Sequence, residues 1–499
     1  MLTRGVTRPM VLDQLAEDEP SPDGEGPSLL ERHHRATLWI PWTLVLLGAW
    51  LVLAPFTFGY LNRALWAVPS GGRGAWFADE VTTLSLRAHL MAWSDVISGL
   101  LLVVLGWRAL RPNRPISRWL ACGVGIWLVF APVVLWSPTA AGFANDSLIG
   151  LLVIALTILI PGMPNMAAFM EMGPARPPGW SYNPSTWSQR SVLIALGFAG
   201  MVISRYLAAY QLGYISSVWD PFFGFAGGTQ PVLDSQMSHL WPISDAALGG
   251  VAYTFEFLMG FMGASSRWRT MPWMVAMFGI LVIPLGLSHI ALVMSQPVVV
   301  HHWSTLALAA AAVMLPMITL TVDEVVAMGQ HLRAARRRGD RDGSTWKVFW
   351  LGGSAEDCLP DDDETTIAQV PDHPLAVARA GVRGATAPLG LVLMAVLGVA
   401  LLAAPGLFDV STRSGAADVG HLAGAATVVV AVVAMAEPVR LLRWLAVPIA
   451  GIAIATLALT APPTGYAVAI VLASAGVAAS ATWRGPVLDR YGAWTTMTR

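Results

Sequence analysis

Asp245, Gly249, Ala252 and Glu256 are spaced +4, +3 and +4 within an otherwise apolar run. On a helix these offsets fall on one face, so two carboxyls and a glycine gap share one stripe. Glu256 would sit roughly 16 Å into that run, at about 1.5 Å per residue. Arg205 and His289 interrupt two neighbouring apolar runs, and His301 and His302 precede another. An acid pair, a cation and imidazoles in the outer half of one bundle could orient a polar headgroup or carry a proton. They could also simply neutralise one another, since ionisable groups in hydrocarbon are costly and mark function or mutual pairing. In that plainer account Arg205 pairs with Glu256 or Asp245, and His289 donates to a backbone carbonyl. His301 and His302 are then interfacial polar residues, because adjacent helical positions point about 100° apart and rarely share one metal; no metal site is expected. Trp241, Trp268, Trp273 and Trp303 read as interfacial anchors. Cys122 and Cys358 are the only cysteines, so a disulfide framework or a cysteine metal site is excluded. Acidic neighbours make Cys358 a poor nucleophile.

These residues must be positioned by membrane helices. Of the 499 residues, 55% are hydrophobic and only 12% charged, with a mean hydropathy of +0.59. Soluble domains carry roughly 25% charged residues. The net charge of -1 gives no pull toward nucleic acid. Twelve apolar runs are expected to span a bilayer: about 38–60, 93–109, 117–137, 147–163, 191–213, 245–264, 271–295, 302–326, 386–404, 418–436, 444–460 and 465–482. The fold expected is all-α and polytopic, with about 12 transmembrane helices in three four-helix bundles. Lys347 is the only lysine, which points to a GC-rich, bacterial genome and hence to the bacterial cytoplasmic membrane. No cleavable leader precedes the first run; residues 1–36 form a polar tail, and the first helix acts as an uncleaved insertion signal. With the N-terminus inside, 25 of the 30 basic residues fall on the cytoplasmic side. Arg63, Arg73, Arg87 and Arg413 fall outside, and Arg205 lies within a helix. That asymmetry argues for both termini in the cytoplasm.

An internal repeat organises the flanks. Residues 48–55 read GAWLVLAP, 125–132 read GIWLVFAP and 398–405 read GVALLAAP. The following run carries Asp95 and Gly99 in the first unit and Asp146 and Gly150 in the second, with a looser Asp418 and Gly424 in the third. Small residues at these positions suit close helix contact. The pattern resembles the SPW repeat, a two-helix bacterial membrane unit, although the naming tripeptide is here Ala-Pro-Phe, Ala-Pro-Val or Ala-Pro-Gly. The expected organisation is a polar tail at 1–36, SPW-like helices at 37–165 and a central bundle at 185–332. A charged cytoplasmic linker follows at 333–385, then degenerate SPW-like helices at 386–482 and a cytoplasmic tail at 483–499.

The central unit carries a second resemblance. Asp220, the stretch Val232–Ser235, the Pro-Ile-Ser-Asp run at 242–245, Gly249 and Tyr253 occur in the order seen in the vitamin K epoxide reductase family. Members are four-helix membrane enzymes that couple quinone reduction to thiol oxidation. The resemblance implies two cysteine pairs, one in the outer loop and one Cys-x-x-Cys at the start of the fourth helix. The corresponding positions here are Trp219 and Thr229 in the loop and Ser304 and Ala307 at the helix start. No cysteine lies anywhere in 185–332, so thiol–disulfide exchange by this unit is excluded.

The pocket remains as the inherited feature. The candidate lining is Arg205, Asp245, Gly249, Tyr253, Glu256, His289, His302 and Trp303, and a membrane quinone is the ligand the resemblance implies. Besides that ligand, the bilayer is the expected partner. The leading expectation is a redox-inactive relative that binds a quinone or lipid, or acts as a scaffold. Proton-coupled transport of a small solute through Glu256 and quinone-linked redox chemistry at a non-cysteine centre stand as alternatives.

Overall fold

The computed structural model describes residues 34–68, 81–111, 114–159, 176–224, 228–239, 242–338, 344–353, 370–371 and 373–496. Residues 1–33, Arg73, Trp241, Cys358 and the acidic run around it lie outside the described residues. Each apolar run folds as a helix, because a chain in hydrocarbon must satisfy its backbone N–H and C=O groups internally. The long helices are α1 (Trp39–Thr57), α2 (Val81–Ala109), α3 (Pro115–Val134), α4 (Ala140–Leu159), α5 (Trp187–Gln211) and α6 (Asp245–Phe261). They continue with α7 (Pro272–Val300), α8 (Thr305–Arg338), α9 (Leu389–Leu407), α10 (Gly415–Val433), α11 (Ala446–Thr460) and α12 (Thr464–Ala481). No strand occurs among the described residues beyond two isolated bridges.

Among the described residues eleven segments are long and apolar enough to cross a membrane, α11 only when counted with the 3₁₀ turns before it, as Glu437–Leu457. The other is α6, whose 17 residues reach about 26 Å, short of the roughly 30 Å hydrocarbon core. Several boundaries differ from expectation by a few residues, and three of the differences relocate charged residues or histidines. The second helix begins at Val81 rather than near 93, so Arg87 is a buried helical residue with its guanidinium over the Trp136 ring. The eighth runs to Arg338, taking the first basic residues of the expected linker into its last turns, where arginine is a good helix former and offsets the helix dipole. Its start is at Thr305, leaving His301, His302 and Trp303 in the preceding turn, with His301 in the left-handed region at φ 60°.

The seventh helix widens into π-turns at Leu281–Leu285 and Gln296–Val300. Pro284 and Pro297 stand inside them; proline has no N–H to give the regular ladder, and the wider turn absorbs the loss.

The repeated motif has one geometry in all three places. A Cβ on Gly48 would lie 2.6 Å from the Gly99 carbonyl oxygen, and one on Gly99 2.5 Å from that of Gly48. Gly125 and Gly150 face each other the same way, as do Gly398 and Gly424. Any side chain there would force the backbones apart, which is why each pair is glycine. Pro55, Pro132 and Pro405 each stand two residues before the end of their helix.

Within the N-terminal set, α1 packs on α2, α3 on α4, and α2 on α3; in the C-terminal set, α9 contacts both α10 and α12, and α11 joins them. Both sets contact the centre. Val129, Val133 and Ile154 share a buried cluster with Ala208, Val251 and Leu258. On the other side Val433 enters the central core, and Thr319 donates to the Val432 carbonyl at 3.0 Å.

Candidate functional site

The loop after α5 returns over the start of α8 and is fastened there. Ser304 is the cap of α8: its Oγ accepts from the Ala307 N–H at 3.1 Å, satisfying one of the orphan donors of the first turn. Thr229 Oγ1 lies 2.9 Å from Ser304 Oγ and 2.6 Å from Asp220 Oδ2. An ionised carboxylate only accepts, so Thr229 gives its single proton to Asp220 and must accept from Ser304. The chain therefore has one direction: Ala307 N–H to Ser304, Ser304 to Thr229, Thr229 to Asp220. The Thr305 hydroxyl donates to the other Asp220 oxygen, as does the Phe223 N–H at 2.9 Å. Partial burial pulls the Asp220 carboxyl upward, but the hydroxyls of Thr229 and Thr305 and the N–H groups of Phe223 and Thr305 outweigh it and hold it at about 2. Thr229 and Ser304 are both 1% exposed. Ala307 is a core residue, whereas Trp219 is largely exposed and is anchored through its N–H to the Tyr206 hydroxyl.

A second cluster lies deeper. The Tyr253 hydroxyl donates to the Ala310 carbonyl at 3.0 Å and lies 3.4 Å from His289 Nδ1, with the two rings edge to face. One phenol thus ties α6 to both α7 and α8, close to the first π-turn. Its ring sits where a Cβ on Gly200 would be, so glycine on α5 admits it. His289 approaches Tyr253 rather than a backbone carbonyl. Glu256 is fully buried, and neither carboxyl oxygen has a hydrogen-bond partner.

The expected ion pairs do not form. Asp245 accepts from Gln211 Nε2 at 2.7 Å, while Ser244 donates to Gln211 Oε1 and caps α6. Arg205 packs beside Gly250 with its Nε unpartnered. Gly197, which faces Glu256 and Phe257, is eight residues along α5 from Arg205, about 12 Å of helix, so Arg205 and Glu256 stand at different levels. Glu256 is also only five residues from the far end of α6 at Phe261, placing it in the inner half of that helix rather than the outer half. Gly249 faces Ser204 at ordinary contact distance. Trp303 stacks on Phe223 and meets His421 edge on, His301 Nδ1 lies 3.0 Å from the Thr412 carbonyl oxygen, and His302 sits half-buried between them in sequence. Among the described residues no three His, Cys, Asp or Glu side chains converge as a metal site.

Sequence reading missed the opposite end of the bundle. Arg267 grips Glu324 through both guanidinium and carboxylate arms, at 2.5 and 2.6 Å. The Ser185 hydroxyl donates to the same carboxylate. Arg190 donates to the carbonyls of Gly260, Met262 and Gly263 at 2.8–3.0 Å, and Arg267 to Met259 and Met262. Two cations thus close the C-terminus of the short α6, where the helix dipole favours positive charge. The signal available in sequence was the Arg-x-Arg at 267–269 following a 17-residue helix, which reads as topology rather than as capping.

Residues 191–322 match the model of the Vitamin K epoxide reductase family. No curated protein and no solved structure matches the chain.

Proposed function

We propose that the chain is a multi-pass membrane protein whose central unit is a redox-inert relative of the Vitamin K epoxide reductase family, retained to bind a quinone or similar lipid or to scaffold a partner. One observation carries this reading. Two of the positions that the family resemblance assigns to cysteine, Thr229 and Ser304, hold hydroxyls joined to each other at 2.9 Å and continued to Asp220 and to the backbone of α8. A hydroxyl cannot form a disulfide, and here Ser304 caps α8 while Thr229 ties that cap to Asp220. Chemistry that needs an exchangeable dithiol has been replaced by a fixed clasp. The Tyr253–His289 pair and Gly249 supply polar and steric features below that clasp, where a ring with carbonyl oxygens could be received between α5, α6 and α7.

The reading is tested by mass spectrometry of lipids that co-purify with the full chain. A quinone present at stoichiometric level, and lost in both Gly249→Trp and Tyr253→Phe, is the expected result. Tyr253→Phe changes one oxygen and guards against misfolding of the bulkier variant. Quinone-coupled oxidation of a dithiol by the pure wild-type protein would overturn the redox-inert assignment; no enriched quinone in any sample would leave only the scaffold.

A second reading, proton-coupled transport of a small solute, is favoured by Glu256, a fully buried carboxyl with no partner on either oxygen. Proton flux into liposomes that Glu256→Gln abolishes would support it, and flux unaffected by that change would remove Glu256 from the path.

A further inference from the structure

At the arginine-rich end of the central bundle a cavity of about 770 Å³ opens between the start of α5, the short helix Pro374–Gly381 and the C-terminal segment around Asp489. We infer that it is a binding site for a phosphate-ester anion. Among the described residues Arg176, Arg379 and Arg383 line it together with one carboxylate, Asp489. That carboxylate is already committed: the Ser181 hydroxyl donates to it at 2.6 Å and Arg383 lies 3.3 Å away. The wall therefore carries surplus positive charge of the kind that recognises phosphate.

Two further features point the same way. Thr186 caps α5, and Thr186, Ser188 and Gln189 all line the cavity, so the first turn of a 25-residue helix faces it. Backbone N–H groups and the positive end of the dipole at such a terminus favour an anion. The decisive residue is Asn183. It lines the cavity and is 5% exposed; its Oδ1 accepts from the Ser185 N–H at 2.9 Å, and its Nδ2 has no acceptor. Because the Ser185 bond fixes which amide atom is oxygen, the buried atom left over is a donor. A buried unpaired donor is unfavourable, a cost that an anionic oxygen would remove.

Pro371, Ala376, Ala380, Val382 and Leu488 add apolar lining beside the exposed Arg379. The helix Pro374–Gly381 is pressed onto α5 so closely that a Cβ on Gly381 would lie 2.7 Å from the Ser188 carbonyl oxygen, while Leu375 is 86% exposed. A polar wall beside apolar lining suits a glycerophosphate, either free or as the headgroup of an anionic phospholipid.

The test uses the full chain in neutral detergent micelles, titrated by thermophoresis with glycerol 3-phosphate in one arm and with micelles doped with phosphatidylglycerol in the other. Saturable binding in at least one arm, weakened at least tenfold by both Arg379→Gln and Asn183→Asp, is expected. Asn183→Asp keeps the acceptor for Ser185 and exchanges only the free donor for an oxygen. Arg379 is exposed and makes no hydrogen bond or ion pair among the described residues, so its substitution leaves the fold intact. Comparable binding in both arms assigns a soluble phosphate ester, and binding in the lipid arm alone assigns a headgroup. No saturation in either arm, or binding that Arg379→Gln leaves unchanged, overturns the site.

Discussion

At the scale of single residues, the informative pair is Thr229 and Ser304, hydroxyl side chains at positions where the proposed family reading expects cysteines. Serine is among the best residues for starting a helix, and Ser304 does that work for α8 while passing its own proton to Thr229. On the reading proposed above, the position that gives up thiol chemistry is the one that caps a helix. The geometry makes the ancestry testable. The oxygens of Thr229 and Ser304 are 2.9 Å apart, within about 1 Å of a disulfide S–S bond of roughly 2.0 Å. The double variant Thr229→Cys and Ser304→Cys, made with Cys122→Ala and Cys358→Ala, should oxidise in air to a single intramolecular disulfide. Intact mass should fall by about two hydrogens, and the protein should resist maleimide until reduced. Two thiols that both remain reactive under oxidant would show that the loop does not rest on α8 as described. Part of this was legible from the chain: the absence of cysteine between 185 and 332 excluded thiol chemistry outright. That Thr229 and Ser304 touch was not, because the contact spans 75 residues and depends on how Asp220 folds the loop.

At the scale of elements, α6 is the instructive case. Its apolar pattern and the one-face spacing of Asp245, Gly249, Ala252 and Glu256 were readable from the sequence, and a helix does form over Asp245–Phe261. What its ends require was not readable. The start is held by Gln211, which pairs with both Ser244 and Asp245, and the finish by Arg190 and Arg267. Local charge pattern suggested that Asp245 would seek Arg205; the Gln211 amide at the end of α5 satisfies it instead. The arginine pair depends in turn on Glu324, the only carboxylate that contacts Arg267 among the described bonds, in a pair 0% and 3% exposed. Removing one partner of a buried ion pair leaves the other charge uncompensated and costs about 3–5 kcal/mol. Glu324→Ala should therefore lower the thermal unfolding midpoint of the detergent-solubilised protein markedly, while Glu324→Gln, which keeps an acceptor for Ser185 and the volume, should lose less. Equal midpoints for wild type and Glu324→Ala would mean that the network does not support the end of α6.

At the scale of the whole molecule, the question is how often the chain crosses the membrane. The distribution of arginine argues for an even number of crossings, yet α6, like α11 without the turns before it, falls short of a full span. Its neighbours resolve the conflict. Gln211, at the last residue of α5, holds the first residue of α6, and Arg190, in the first turn of α5, holds its last carbonyls. The sixth helix thus runs antiparallel to α5 from one end to the other. With α6 counted, the connection between α9 and α10 lies on the same side as Asp220 and the loop over α8, consistent with His301 reaching the Thr412 carbonyl. The short helix Pro374–Gly381 and the end of α8 lie on the other side, packed with the start of α5. Single cysteines placed at Arg413 and at Arg336 in the Cys122→Ala, Cys358→Ala background should then behave oppositely. The first should react with a membrane-impermeant maleimide added to intact cells, and the second only after the membrane is permeabilised. Labelling of both from outside would require an even number of crossings between them, against the single pass of α9, and labelling of Arg336→Cys alone would invert the orientation of the whole chain. The arginine-rich cavity would then face away from the cytoplasm, where its phosphate-bearing ligand is most readily supplied.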